Sequence, residues 1–353
     1  MIKFLLSIFT VLLLFSCQTE ESGMEAVDTS ALSIKNQNPP ANTTDSSTDS
    51  SSDSTTDNTT DSSTTSTDDG CVLYELYTER PDCAVTLSLS NEVSIRTQNS
   101  NRIITSNNIP EHKVGLFGGG IGSLNPNSIS EQNSTYTISL NPIADENFTN
   151  LVNENGNQYS FGVLLNGVEL DPVPAEPWPH EGLMSPNANW DWNLEAPNVN
   201  IGMDCNIAHV QPTGKYHYHG MSALYLESID ISDSQMTLVG YAGDGYPIYY
   251  KYVYSDASDA SSEVVAISSS YQLKTGERPG DGVTAPCGAY TGVYGNDHEY
   301  IESLSELDEA NGRTGVTPEY PNGTYYYVIT ETYPWIPRYF RATPSKDFKI
   351  GPS

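Results

Sequence analysis

The fold at the centre of this chain is decided by residues 208–220, which read Ala208-His209-Val210-Gln211-Pro212-Thr213-Gly214-Lys215-Tyr216-His217-Tyr218-His219-Gly220. His217 and His219 are two positions apart, so on a β-strand they share one face, while Tyr216 and Tyr218 take the other. A turn-forming segment precedes this strand, and a third histidine precedes the turn. The stretch therefore predicts a β-hairpin, and the length of its loop decides where His209 points.

The loop of this hairpin is predicted to span residues 212–214. Three-residue hairpin loops combine a type I turn with a following residue in the left-handed region. Pro212 suits the first position of such a turn, and Gly214 tolerates the left-handed one. A two-residue loop would demand a positive φ at proline, which the ring forbids. The three-residue loop pairs His209 with His217, so the sequence predicts three imidazoles on one face.

Three convergent imidazoles are a ligand set for Zn²⁺, Cu²⁺ or Fe²⁺, and they leave coordination positions open for water or a substrate. The sequence therefore predicts a transition-metal site at His209, His217 and His219. Two other interpretations remain open at this point. Alternating Tyr and His can form a stacking surface for sugars or peptides, or the strand can be polar for structural reasons alone.

The remainder of residues 71–353 is predicted to form one mainly β domain with long loops and one or two short helices. Gly, Pro, Asn and Asp separate short apolar or alternating runs, as is typical of strand boundaries. These runs are Ala84–Leu89, Tyr136–Leu140, Ser160–Leu165, Met236–Tyr241, Pro247–Tyr252 and Thr324–Thr330. The best helix candidate is Ser303–Ala310, which Asn311-Gly312 would end.

Four cysteines lie in this domain: Cys71, Cys83, Cys205 and Cys287. An even number outside the cytoplasm predicts two disulfides. The simplest of the three connectivities is Cys71–Cys83 with Cys205–Cys287. The alternative is that Cys205, near the histidines, serves as a thiolate ligand.

The first sixteen residues have the order of a secretory signal peptide. Lys3 supplies a positive start, residues 4–15 are almost wholly apolar, and Ser16 precedes Cys17. A leucine-rich run that ends in a small residue and cysteine resembles the bacterial lipobox, in which the cysteine is lipidated. Residues 18–21, which include two glutamates, resemble a surface-export signal. The expected location is the outer membrane or the cell surface, with a lipid anchor at Cys17.

Residues 17–70 are predicted to form a tether between the lipidated cysteine and the domain. Residues 41–70 are almost entirely Ser, Thr, Asp and Asn, so nothing apolar is available to offset the entropy of ordering. The whole chain carries 45 acidic and 15 basic residues. A phosphate-binding protein needs a basic footprint, so nucleic acid is excluded as an expected partner.

The chain resembles the YHYH-domain family, which is named for the motif present here as Tyr216-His217-Tyr218-His219. Further segments similar to the family span roughly residues 90–345: Asn108–His112, Leu165–Val168, Ala175–Trp178, Gly202–Asn206, Ala208–Pro212, Gly240–Tyr249, Leu307–Arg313 and Pro334–Tyr339. The resemblance adds His112 as a candidate fourth ligand or a nearby acid or base.

The chain departs from the family pattern at Ala310 and Tyr339, where relatives are expected to carry cysteine. The joint absence of these two cysteines is what the loss of one family disulfide would look like. The resemblance then favours a disulfide between Cys205 and Cys287, two of the cysteines that remain. The family is largely uncharacterised, so the resemblance implies a domain type and little biochemistry.

Two functions fit the sequence. The first is an anchored metal-binding lipoprotein, in which a catalytic metal would polarise a bound water or substrate oxygen. The second is a non-enzymatic binding or adhesion module for glycans or proteins, with a Tyr-rich face as its platform. The sequence leaves open whether the protein is an enzyme. It lacks a phosphate-binding glycine loop and a Gly-x-Ser-x-Gly elbow, which argues against nucleotide and serine-hydrolase chemistry.

Overall fold

Strands dominate the computed structural model, which describes residues 64–66, 71–181 and 185–350. In chain order the first strands are β1 (Thr64–Ser66), β2 (Val72–Tyr74), β3 (Val93–Gln98), β4 (Asn101–Ser106), β5 (Ser134–Ser139), β6 (Ala144–Asn150), β7 (Val152–Asn153), β8 (Gly156–Asn157), β9 (Gly162–Leu164), β10 (Glu169–Leu170), β11 (Pro177–Trp178) and β12 (Asn189–Asn193). The others are β13 (Ala208–Val210), β14 (Tyr216–Tyr218), β15 (Leu238–Ala242), β16 (Pro247–Tyr250), β17 (Tyr252–Tyr254), β18 (Val264–Ala266), β19 (Tyr271–Leu273), β20 (His298–Tyr300), β21 (Gly312–Gly315), β22 (Thr324–Ile329) and β23 (Tyr339–Ala342). The described residues also contain one α-helix, α1 (Ala223–Ser228), and three 3-10 turns at Ala196–Asn198, Gly295–Asp297 and Lys346–Phe348.

The mainly β prediction is confirmed, and five of the six predicted runs contain a strand. The run Ala84–Leu89 holds only an isolated bridge, from Val85 to Val114. The predicted helix at Ser303–Ala310 is wrong. There the Asp308 carboxylate accepts the backbone N–H groups of Ala310 and Gly312, and such side-chain bonds compete with a helix.

The central element is an eight-stranded mixed sheet in the order β13-β14-β10-β9-β15-β16-β22-β21. Parallel pairing occurs between β10 and β14 and between β16 and β22, and the other neighbours are antiparallel. The predicted hairpin forms one edge of this sheet, as β13 and β14. The histidines therefore lie on the two strands at this edge of the sheet.

One face of the hairpin packs into the main core. Ala208, Val210, Tyr216 and Tyr218 join Leu170 of β10 in a cluster of buried side chains. Tyr216 and Tyr218 are each 0% exposed. Because side chains alternate along a strand, the histidines between these residues lie on the opposite face.

A smaller three-stranded antiparallel sheet, β3-β4-β5, packs on the same domain. Ile104, Tyr136 and Ile138 from this sheet form a second buried cluster with Val163 of the central sheet and Phe348. Tyr136 and Phe348 stack with ring centroids 4.7 Å apart. This packing ties the three-stranded sheet to the central one.

All four cysteines form disulfides, as predicted, but the predicted connectivity is wrong. The bonds join Cys71 to Cys287 and Cys83 to Cys205, with Cα separations of 5.7 and 5.6 Å. The path of the segment that follows β2 explains this pairing. The segment runs past residues 196–198, where the Arg80 guanidinium donates to the Pro197 carbonyl at 2.8 Å, and so carries Cys83 to Cys205 rather than back to Cys71. A cysteine in a disulfide offers no thiolate, so the structure also excludes Cys205 as a metal ligand.

Within the predicted tether, which extends to Gly70, the structure describes β1, and this strand pairs with β2. All described residues fall in one compact unit. The predicted signal peptide, Cys17 and most of the tether lie outside the described residues. Among the described residues, no helix combines the length and the apolar character that a membrane crossing requires.

Candidate metal centre

The hairpin has the register that the sequence predicted. His209 pairs with His217 across the two strands. The Gly214 N–H donates to the Gln211 carbonyl at 2.8 Å, and Gly214 has a φ of +84°. The three-residue loop with glycine in the left-handed region is therefore confirmed, and it sets His209 on the same face as His217.

The imidazoles of His209, His217 and His219 converge through their Nε2 atoms. The His217 Nε2 lies 3.0 Å from that of His219, which in turn lies 3.1 Å from that of His209. All three candidate ligand atoms lie within 4.8 Å of one another. Nitrogen ligands about 2.0–2.1 Å from one ion stand roughly 2.9 Å apart on an octahedral face and roughly 3.3 Å apart in a tetrahedron. The observed spacing fits a single ion.

The other ring nitrogens show which tautomers are present. Nδ1 of His209 lies 3.0 Å from the Ile201 carbonyl, and Nδ1 of His217 lies 3.4 Å from the Lys215 carbonyl. A carbonyl only accepts, so in both neutral rings Nδ1 carries the proton and Nε2 presents a lone pair. A neutral His219 can carry at most one proton on Nε2, and that proton can serve only one of these neighbours. A cation at the point of convergence satisfies all three.

Burial keeps these imidazoles neutral. His217 is 2% exposed and His219 is 1% exposed, and desolvation lowers the pKa of each well below its usual range. Charge on the neighbouring His209 would lower both pKa values further. The pKa of His209 is also lowered by burial. Neutral imidazole is the form that binds metal ions.

The sequence model of the family described as "YHYH protein" matches residues 135–342, which is more than half of the chain. This chain belongs to the YHYH protein family. The match includes all three converging histidines and begins after Asn108–His112, the first segment in which we noted a resemblance. No curated protein and no solved structure matches the chain.

The histidine face of this YHYH protein also carries a glutamate that sequence reasoning missed. In the parallel pair of β10 and β14, Glu169 stands opposite His217. Its carboxylate accepts from the Lys215 ammonium at 2.5 Å and from the Tyr136 hydroxyl at 2.8 Å. Nothing in the local spacing signals this neighbour, because the two strands are remote in sequence.

Asp171 is a second missed residue beside the cluster. It is 5% exposed, and its backbone N–H donates to the Tyr218 carbonyl at 2.9 Å, which fixes it alongside β14. One carboxylate oxygen accepts from the Gln211 amide at 3.1 Å, whereas the buried Oδ1 has no hydrogen-bond partner. Burial, together with Glu169, raises the pKa of Asp171 to about 7.

The structure does not bring His112 into the cluster. Its Nε2 lies 2.6 Å from the hydroxyl of Tyr218, and its Nδ1 lies 2.9 Å from the Lys113 carbonyl. Tyr218 alternates with His217 and His219 and therefore occupies the opposite face of the strand. The structure therefore places His112 beside Tyr218, on the other side of β14 from the converging nitrogens, and not among them. Among the described residues, no other group of three His, Cys, Asp or Glu ligands converges in this way.

The tyrosines of the motif do not form an exposed platform. Tyr216 and Tyr218 are fully buried, and the Tyr216 hydroxyl donates to the Asp204 carboxylate at 2.9 Å. The Asn166 side-chain amide donates to the Tyr218 hydroxyl at 3.1 Å. A stacking surface made of these two rings is therefore not accessible to a glycan or a protein.

Replacing Gly214 with Ala is expected to weaken metal binding at least tenfold without touching a ligand. A Cβ at this position would lie 3.0 Å from the Ser130 Cβ and 3.1 Å from the Ser128 carbonyl oxygen, and the φ of +84° disfavours any side chain. Relief of both conflicts should shift the loop that sets His209 opposite His217.

The matched control is Gly276→Ala, since Gly276 has a similar φ of +94° and an added Cβ would meet nothing within 4 Å. Titration of a chelated sample with Zn²⁺ gives the affinities. Equal affinity in both variants would show that the loop does not control the cluster.

Proposed function

We propose that this chain is an exported, lipid-anchored member of the YHYH family that binds one transition-metal ion through His209, His217 and His219. The observation that carries the proposal is the convergence of three neutral imidazole Nε2 atoms at 3.0 and 3.1 Å. Two of these atoms must present lone pairs, because their Nδ1 partners are carbonyls. Zn²⁺, Cu²⁺ and Fe²⁺ all accept such ligands.

The surroundings favour a site with open coordination positions. Three protein ligands leave room for water or another molecule, to which a bound ion would act as a Lewis acid. The chain itself keeps the imidazoles neutral by burial and orients His209 and His217 through backbone carbonyls. Asp171 adds a buried carboxylate oxygen with no hydrogen-bond partner on the same face of the strands.

Elemental analysis of residues 64–353, which keep β1 and are purified without a polyhistidine tag, tests the proposal. The wild-type domain is expected to retain about one equivalent of a transition metal. The double variant His217→Ala, His219→Ala is expected to retain almost none, because one imidazole alone binds these ions weakly. His112→Ala is the control and should retain the wild-type amount, since His112 contacts Tyr218 instead. Equal metal content in the wild-type protein and the double variant would refute the site.

The proposed anchor has a separate test. Substitution Cys17→Ala is expected to move the full-length protein from the membrane fraction to the soluble exported fraction, because the lipid supplies the attachment. Fractionation and labelling with a fatty-acid analogue measure this change. Unaltered membrane association of the variant would contradict lipidation at Cys17 and leave the metal proposal unaffected.

A further inference from the structure

A second concave site is present, and none of the three converging histidines lines it. It is a cleft of about 270 Å³ between β12, the turn at Gly295–Asp297 and the segment around Tyr333–Tyr339. The ring-bearing residues on its walls are Trp190, Tyr271, His298, Tyr333 and Tyr339. Concave sites with aromatic walls and a few fixed polar groups are typical of small-ligand sites.

The aromatic wall is held rigidly. Tyr333 stacks on His298 with ring centroids 4.0 Å apart and planes inclined by 1°. Tyr271 meets the Tyr333 ring edge-on, at 5.2 Å and 77°. The Tyr271 contact lies within the range of about 4.5–7 Å at which aromatic pairs attract one another, and the stacked His298 contact is closer still. A ligand would therefore meet rings whose orientation is set before it arrives.

The polar wall is equally fixed. The Glu195 side chain is 3% exposed and forms an ion pair with Arg338, whose side chain is 11% exposed. Arg338 also donates to the Ile336 carbonyl at 3.1 Å. The Nδ1 atom of His298 is buried and has no hydrogen-bond partner. A buried ion pair is a weak source of stability, so polar groups beside a cleft fit a recognition role better.

Charge in the cleft argues against an anionic ligand. Burial lowers the pKa of His298 to about 4, so among the lining residues Arg338 carries the positive charge at neutral pH. Glu195 already neutralises that charge, and Asp191 adds a negative one. Burial raises the pKa of Glu195 to about 7, and Arg338 opposes that rise. The cleft therefore offers no net positive charge at neutral pH or above.

A cationic ligand is also disfavoured. The Arg338 guanidinium carbon lies 5.7 Å from the centroid of the Tyr333 ring, so a cation already occupies that aromatic position. A purely apolar ligand would cover the exposed Asp191 carboxylate and remove its contacts with water, which costs free energy. The remaining class is a neutral molecule with apolar C–H faces and several hydroxyls.

We propose that this cleft binds a neutral sugar residue, either free or as part of a glycan. The C–H face of a pyranose ring packs against aromatic side chains such as Tyr339, and its hydroxyls exchange hydrogen bonds with Asp191 and with Asn296. The cleft has room for about one sugar ring, which fits recognition of a single residue. Binding does not require the metal ion, because no candidate metal ligand lines this site.

Calorimetric titration of the chelated wild-type protein with a panel of sugars tests this inference. The panel contains glucose, galactose, mannose, N-acetylglucosamine, their β-1,4-linked disaccharides, and glucuronic acid as an anionic comparison. At least one neutral member is expected to bind saturably. Tyr339→Ala should weaken that binding about tenfold, a loss of about 1.4 kcal/mol, whereas Tyr339→Phe should preserve it because the ring remains.

Tyr252→Ala is the matched control, since Tyr252 is another half-buried tyrosine and does not line the cleft. It should bind the sugar as the wild-type protein does. Circular dichroism of each variant establishes that it is folded before binding is compared. The inference is overturned if no neutral sugar binds, if glucuronic acid binds best, or if Tyr252→Ala and Tyr339→Ala weaken binding equally. Loss of metal binding in the His217→Ala, His219→Ala variant should leave sugar affinity unchanged.

Discussion

Replacing both Cys83 and Cys205 with Ser is expected to lower the free energy of unfolding by about 3–5 kcal/mol. The disulfide joins positions 122 residues apart, and cross-links that close long loops restrict the unfolded chain most. Urea denaturation monitored by tryptophan fluorescence measures the change. The midpoint should fall, and the slope should rise because the unfolded chain without the cross-link is less compact.

The same variant is expected to weaken metal binding, because Cys205 adjoins the segment that supports the hairpin. The Asn206 side-chain amide donates to the Lys113 backbone carbonyl at 3.0 Å, and the side-chain Oδ1 of Asn206 accepts from the Ser222 hydroxyl at 2.6 Å. These buried bonds surround the chain just before His209.

The control is Cys71→Ser, Cys287→Ser, which opens the other disulfide, with a sequence separation of 216. It should destabilise the domain by a similar amount and leave metal affinity near the wild-type value. If removal of the Cys83–Cys205 bond left both stability and metal affinity unchanged, this support of the hairpin would be disproved.

Adding a transition metal to the chelated domain is expected to stabilise it by about 4 kcal/mol when the free metal is roughly a thousandfold above its dissociation constant. The folded state holds three preformed neutral imidazoles, whereas the unfolded chain does not hold them together. For a domain of this size each kcal/mol corresponds to about 2 °C, so the melting temperature should rise by roughly 8 °C. Differential scanning calorimetry at two metal concentrations measures this change.

The double variant His217→Ala, His219→Ala provides the control for this stabilisation. Its melting temperature should not respond to metal, apart from weak nonspecific effects. Mg²⁺ should not stabilise the wild-type domain, because it prefers oxygen ligands. An equal rise in the variant and in the wild-type protein would place the stabilising ion elsewhere, for example at the acidic surface.

Local chemistry explains why part of the site could be read from the sequence. The hairpin register depends on Pro212 and Gly214, which are suited to particular turn positions. The alternation of His and Tyr along one strand depends only on the two-residue period of β-structure. Both properties act over a few residues, so the shared face of His209, His217 and His219 was predictable.

The helix predicted at Ser303–Ala310 does not form, so local reasoning failed there within a single segment. Helix propensity there competes with hydrogen bonds that the Asp308 carboxylate makes to nearby N–H groups. The α-helix that does form, Ala223–Ser228, has only six residues and shows no full apolar period. Its start depends on the Ser222 hydroxyl, which accepts the Tyr225 N–H at 3.0 Å.

By itself, the sequence determined the mainly β class and the three imidazoles on one strand face, because turn geometry and strand alternation are local. Its motifs also indicated the YHYH family, which the family model confirms. Only the tertiary structure decided the disulfide connectivity, the position of His112 behind Tyr218, and the approach of Glu169 and Asp171 to the histidines. These contacts join strands and loops that are far apart in sequence, and packing of the whole sheet selects them. The aromatic cleft at Glu195 and Arg338 likewise exists only once remote loops have packed together.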